Sequence, residues 1–184
     1  MPMPKQTGGG TVAVALTGMP PPRIRPRSDA LPSIDPAKTL PEGEERQKGM
    51  DARLWNIGMK VRDVKAEADY FVALGADLRI HETLSTPDGT FEYALLDFAG
   101  TRLFLTPVTV FEGRLPGPLP EGLTHAVFEV ADVDRELERL VALGTEVLIP
   151  PIEVSAALGS RRLAFCRSPG GLVFEVLQIR ESLV

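Results

Sequence analysis

Residues 56–80, moved along by 69 positions, overlie residues 125–149 without a gap, and nine of the twenty-five pairs are identical. The identities include Val61/Val130, Asp63/Asp132, Val64/Val133, Glu67/Glu136, the run Val72-Ala-Leu-Gly75 against Val141-Ala-Leu-Gly144, and Ile80/Ile149. A unit that occurs twice, with a period too long for a solenoid, marks a duplicated half-domain.

Each copy reads in the same order. Trp55, Ile57, Met59 and Val61 alternate with Asn56, Gly58, Lys60 and Arg62, and Ala126, Phe128 and Val130 alternate with His125, Val127 and Glu129. Such alternation is the pattern of a strand with one covered face. Asp63 and Asp132 follow as helix N-caps, able to accept the orphan N–H groups of a first turn. Val64, Ala68, Phe71 and Val72 in one copy, and Val133, Leu137, Leu140 and Val141 in the other, fall on one helical face. Gly75 and Gly144 suit the left-handed residue that ends a helix. Three strands follow each helix, at about 76–84, 91–98 and 101–108, then at about 145–153, 161–167 and 172–179. Pro87-Asp-Gly89 and Ser168-Pro-Gly-Gly171 read as turns. The expectation is an α+β fold: two tandem βαβββ modules, 52–110 and 122–181, forming one curved mixed sheet, with residues 111–122 as linker.

The repeat occupies only part of the 184 residues. The first fifty hold nine of the seventeen prolines and none of the eleven aromatic residues. A stretch without aromatics, broken by Pro20-Pro-Pro22, buries too little apolar surface to offset its ordering entropy. Residues 1–50 are therefore expected to be a disordered leader and 51–184 a single domain. The leader carries seven basic and five acidic residues, and the remainder thirteen and twenty. An acidic domain without a basic stripe argues against nucleic acid as partner. No apolar run reaches the length of a membrane span. The single cysteine, Cys166, allows no internal disulfide and fits a cytoplasmic, reducing setting.

Thr124-His-Ala-Val-Phe-Glu-Val-Ala-Asp-Val-Asp134, Leu140-Val-Ala-Leu-Gly144 and Ser168-Pro-Gly-Gly-Leu-Val-Phe-Glu-Val176 resemble the vicinal oxygen chelate superfamily, which includes glyoxalases, bleomycin-resistance proteins, extradiol dioxygenases and methylmalonyl-CoA epimerases. The resemblance runs over essentially everything after Met50. It implies a cup between two modules, with divalent-metal ligands on the first and last strands of each. Those positions correspond to Asn56 and His125, and to Phe104 and Glu175. His125 and Glu175 match the pattern; Asn56 replaces the usual His or Gln, and Phe104 replaces a Glu and cannot bind metal. The implied site is His125, Glu175 and Asn56 around an ion such as Mg, Mn, Fe, Zn or Ni, with Glu175 also moving a proton. A homodimer is implied by resemblance only.

Alternation independently directs Asn56, Gly58, Lys60, Arg102, Phe104, Thr106, His125, Val127, Glu129 and Glu175 into the cup. Lys60 and Glu129, equivalent in the repeat, are expected to pair across it or to contact a charged group of the ligand. Tyr93 is a further candidate donor. His81 reads as structural, Arg161-Arg162 as surface charge, and Cys166 as packed rather than reactive. Two functions fit. One is a metal-assisted lyase, isomerase or dioxygenase acting on a small molecule; the other is a metal-free binding module, which the aromatic Phe104 favours.

Overall fold

The computed structural model describes residues 49–86 and 89–184. The expected leader and the centre of the expected Pro87-Asp-Gly89 turn lie outside the described residues. The first module contains β1 (Ala52–Lys60), α1 (Val64–Ala73), β2 (Asp77–Thr86), β3 (Gly89–Phe98) and β4 (Thr101–Thr106). The second contains β5 (Gly122–Val130), α2 (Val133–Ala142), β6 (Glu146–Ala156), β7 (Gly159–Arg167) and β8 (Val173–Ser182). The expected α+β class and the duplicated βαβββ order are both present. A 3₁₀ turn at Glu112–Arg114 lies in the linker.

The helices start and stop where the repeated signals stand. Asp63 accepts a hydrogen bond from the Ala66 N–H at 2.9 Å, and Asp132 accepts one from the Arg135 N–H at 3.1 Å. Caps of this kind stabilise a helix by about 1 kcal/mol. Gly75 and Gly144 follow the helices at φ 97° and 87°, a backbone region that disfavours a Cβ. Val64, Ala68 and Phe71 pack inward on α1, as do Val133, Leu137 and Leu140 on α2. The equivalent valines Val72 and Val141, expected on the buried faces, lie instead on the outer flanks, 44% and 51% exposed.

All eight strands form one sheet in the order β2-β3-β4-β1-β5-β8-β7-β6, curled into a half-barrel. The sheet is mixed: β1 runs parallel to β4, β5 parallel to β8, and the remaining pairs are antiparallel. The modules meet edge to edge along the antiparallel β1–β5 seam, which makes them pseudo-twofold copies. Each helix covers its own module's convex face with a separate core. The concave face is shared: Trp55, Tyr93 and Leu95 from the first module pack with Val127 and Leu177 from the second.

The seam carries two β-bulges, with Trp55 and Thr124 as the extra residues. These positions are 69 apart, so the bulges are themselves repeat-related. A bulge interrupts the two-residue period and redirects the side chains beside it. Trp55 and Asn56 accordingly both line the concave cavity. Trp55 was expected on the helix side with Ile57 and Met59, and only the latter two are there.

Candidate functional site

The concave face encloses a cavity of ≈ 160 Å³ that draws on both modules. Its wall is mostly apolar. Leu84, Phe91, Tyr93 and Phe104 come from the first module; Val127, Ile152, Val154, Leu158, Leu163, Phe165 and Leu177 come from the second. Phe111, fully buried, closes one side from the linker. The polar groups facing in are few: Asn56, Thr106, Thr109, His125, Arg161 and Glu175. An apolar concavity with a handful of convergent polar groups is the usual form of a small-molecule site.

His125 is held from all sides. It sits opposite Gly58 across the seam, and a Cβ on Gly58 would come within 2.1 Å of the imidazole Cε1. Phe111 and Phe165 meet the ring edge-on, with centroids 5.2 and 5.4 Å away. Thr124 at the neighbouring bulge donates its hydroxyl to the Gly58 carbonyl at 2.9 Å and also lies 2.9 Å from His125 Nδ1. A hydroxyl has one proton, so with that proton committed to Gly58 the Thr124 oxygen accepts from Nδ1–H. In the neutral ring Nε2 then carries the lone pair, and it faces Glu175 Oε2 at 3.6 Å. Both side chains are about nine-tenths buried.

Register also tests the equivalence of Phe104 and Glu175. Gly58 pairs with Phe104 and Val127 pairs with Glu175, and Gly58 and Val127 are themselves 69 apart. The two positions are thus structural counterparts, one apolar and one acidic. Phe104 stacks on Tyr93 with ring centroids 5.4 Å apart, so it serves as cavity wall. Tyr93 faces inward, and burial above all, with Glu82 adding to it, pushes its phenol up from the ordinary value. Thr106 lines the cavity and donates to the Val108 carbonyl at 2.7 Å.

Three expected pocket residues are elsewhere. Lys60 donates to Glu112 at 2.6 Å and to the Leu119 carbonyl at 2.9 Å, while Glu129 accepts from Arg53 at 2.7 Å. The antiparallel seam explains why the expected Lys60–Glu129 pair does not form. It sets Lys60 opposite Gly122 and Glu129 opposite Arg53, seven positions or roughly 24 Å apart along β1. Arg102 lies outside the cavity wall, over the Trp55 ring at 5.1 Å and paired with Asp97 at 3.2 Å. His81 is 3.1 Å from Glu92, also outside the cavity. Cys166 is fully buried, and burial pushes its thiol from 9.0 up to about 11.

Arg161 is the residue the sequence reading missed. It is 4% exposed and lines the cavity, with its guanidinium over Trp55 at 4.8 Å. Burial pulls its pKa down, partly opposed by the nearby Glu175 charge. Only its neighbour Arg162 is the surface charge expected, paired with Asp134 and Glu153. A signal was present in β7: Arg161, Leu163 and Phe165 share one phase, and Arg162, Ala164 and Cys166 the other.

The donor set falls short of a resident catalytic metal centre. His125 Nε2 and Glu175 Oε2 are suitably placed strong donors, but Phe104 offers none, leaving the Asn56 amide as third. Among the described residues no three His, Cys, Asp or Glu side chains gather to hold an ion. Catalytic divalent metals are typically held by three such ligands, one more than His125 and Glu175 supply.

The family model described as Glyoxalase/Bleomycin resistance protein/Dioxygenase superfamily matches residues 5–176, beginning upstream of the boundary expected near residue 50. None of the curated proteins matches. Among solved structures, a hypothetical protein from Bacillus halodurans is similar at 20% identity and TM-score 0.54, covering 73% of this chain and 99% of its own. A methylmalonyl-CoA epimerase from Streptomyces coelicolor, in complex with 2-nitronate-propionyl-CoA, is 21% identical with TM-score 0.55, covering 70% and 98%. A 4-hydroxymandelate synthase mutant from Streptomyces coelicolor is 17% identical with TM-score 0.54, covering 72% of this chain and 50% of that one. At these identities the likeness is one of fold.

Proposed function

The chain belongs to the Glyoxalase/Bleomycin resistance protein/Dioxygenase superfamily, and on that premise we propose that its cup binds a small, largely apolar organic molecule without a resident metal. The observation that carries this reading is the cavity wall: Phe104 stands where the pseudo-twofold would repeat Glu175, and it stacks on Tyr93 instead of offering a ligand atom. Expulsion of water from such a wall supplies affinity, and His125 and Glu175 fix orientation. A solved epimerase of the same fold, in complex with methylmalonyl-CoA, is in keeping with a small-molecule ligand. The same reading includes a homodimer and a cytoplasmic setting, the latter suited by the lone buried Cys166.

A second reading is proton-transfer catalysis, favoured by the fixed His125 tautomer. Nε2 and Glu175 Oε2, both acceptors and 3.6 Å apart, can share a single proton taken from a ligand, which is how two groups divide the work of a base. Glu175 would then be the catalytic residue as well as a binding one.

Trp55, the only tryptophan, lines the cavity and reports occupancy through its fluorescence. Saturable change in Trp55 emission with small aromatic or aliphatic compounds, in protein carrying well under one equivalent of divalent metal, is the expected result. Stoichiometric metal that disappears in His125→Ala would overturn the metal-free reading.

A further inference from the structure

Arg161 holds a charge inside the cavity wall, and two of its N–H groups are unanswered. Among the described residues neither Nε nor Nη2 has a hydrogen-bond partner, although the residue is 96% buried, being 4% exposed. Arginine keeps its proton across the working pH range, and an unpaired buried donor is costly to the folded state. Trp55 beneath the guanidinium answers part of the charge through its π face. It supplies no acceptor to those two atoms.

Nε and Nη2 lie on one edge of the guanidinium, with their N–H bonds nearly parallel. That edge matches the two oxygens of a carboxylate. Arg162, the next residue, shows what a satisfied arginine looks like on the same strand: its Nε and Nη2 donate to the two oxygens of Asp134 at 2.9 and 2.8 Å. Arg161 presents the same edge with no such partner. Both atoms are covered in the empty cup, so a turn of the side chain, which lines the cavity, is what brings this edge to a ligand.

We propose that the ligand is an organic acid, its carboxylate bound by the Nε–Nη2 edge of Arg161 and its apolar body lying against Tyr93, Phe104 and Leu177. This rests on the reading of the cavity as a ligand site and narrows it to a chemical class. A monoanion fits better than a phosphate dianion, because Glu175 already places one negative charge in the same enclosure. The single planar fork likewise matches a carboxylate.

The test uses the full chain and matched probes: 3-phenylpropanoate to 6-phenylhexanoate, each beside its primary amide, followed by Trp55 fluorescence excited beyond the phenyl absorption and by calorimetry. The best acid is expected to bind at least about tenfold tighter than its amide. Arg161→Met should abolish that preference while retaining amide binding, and Arg161→Lys should keep a fraction of it, since an ammonium is a point charge. Without ligand, Arg161→Met should melt at or above the wild-type temperature, because it removes an unpaired buried donor. Equal affinity for acid and amide in the wild type overturns the carboxylate assignment and leaves the cavity reading standing. Failure of every probe, acid and amide alike, overturns both. The wild-type contrast decides the question even if a variant does not fold.

Discussion

Gly58→Ala adds one methyl group at the point where β1 passes His125. Gly58 does not have a positive φ, so alanine suits its backbone. Chain entropy alone then says the substitution stabilises, by about 0.4–1 kcal/mol. The structure says the opposite. The new Cβ would lie 2.1 Å from His125 Cε1 and 2.4 Å from Nδ1, so the ring must leave its place. Phe111 and Phe165 block its edges, and leaving breaks the Nδ1–H bond to Thr124. Overpacking of this kind costs about 1–3 kcal/mol and the lost hydrogen bond about 1 more. Net destabilisation of about 1–3 kcal/mol is expected in urea unfolding followed by Trp55 fluorescence. The diagnostic comparison is the same change in a His125→Ala background, where the obstacle is gone and the cost should vanish or reverse. A Gly58→Ala protein as stable as wild type, or an equal cost in both backgrounds, would refute the account of how His125 is held.

Lys60→Met should loosen the linker by about 1–2 kcal/mol, since Lys60 anchors both Glu112 and the Leu119 carbonyl; a hydrogen-exchange comparison should place the loss between residues 107 and 121. Lys60, through its hydrogen bond, holds the Glu112 carboxyl below the usual carboxylate range. Its contribution is therefore present above the ordinary value near 4.5 and is lost as pH falls through the lowered one, so Lys60→Met should flatten that part of the acid limb of a stability–pH curve. Cys166 should resist alkylation at pH 8 in the native protein and react once urea unfolds it. Its raised thiol means stability is held below 9.0 and declines as pH climbs toward about 11, a decline that Cys166→Ala should remove. Rapid native labelling would contradict its burial.

The fold was legible because duplication shows its signals twice. The caps at Asp63 and Asp132 and the stops at Gly75 and Gly144 followed from a single shift of 69 residues, and the equivalence of Phe104 with Glu175 from the same repeat with a two-residue gap, through Gly100 and Gly171. The site was less legible, and for two physical reasons. Strand alternation assigns faces only where pairing is regular, and bulges at Trp55 and Thr124 break it beside the two ligand positions. Repeat equivalence also says which residues correspond, not which ones touch. Lys60 and Glu129 correspond, and the antiparallel seam sends them to opposite ends. Arg161 was lost by reading Arg161-Arg162 as a charged pair, although successive residues in a strand point to opposite faces.

The shared cavity divides its chemistry by module. Every ionisable group usually charged or titrating near neutrality, namely His125, Arg161 and Glu175, comes from the second copy, whereas the first copy contributes Trp55, Tyr93 and Phe104. Two identical halves would build a cup with an axis through it, and a guest could enter either way round at equal energy. Divergence of the copies has removed that degeneracy. The cup now has a head and a tail, so a guest with distinguishable ends would be read in one direction, and a stereochemical preference would follow from the wall itself.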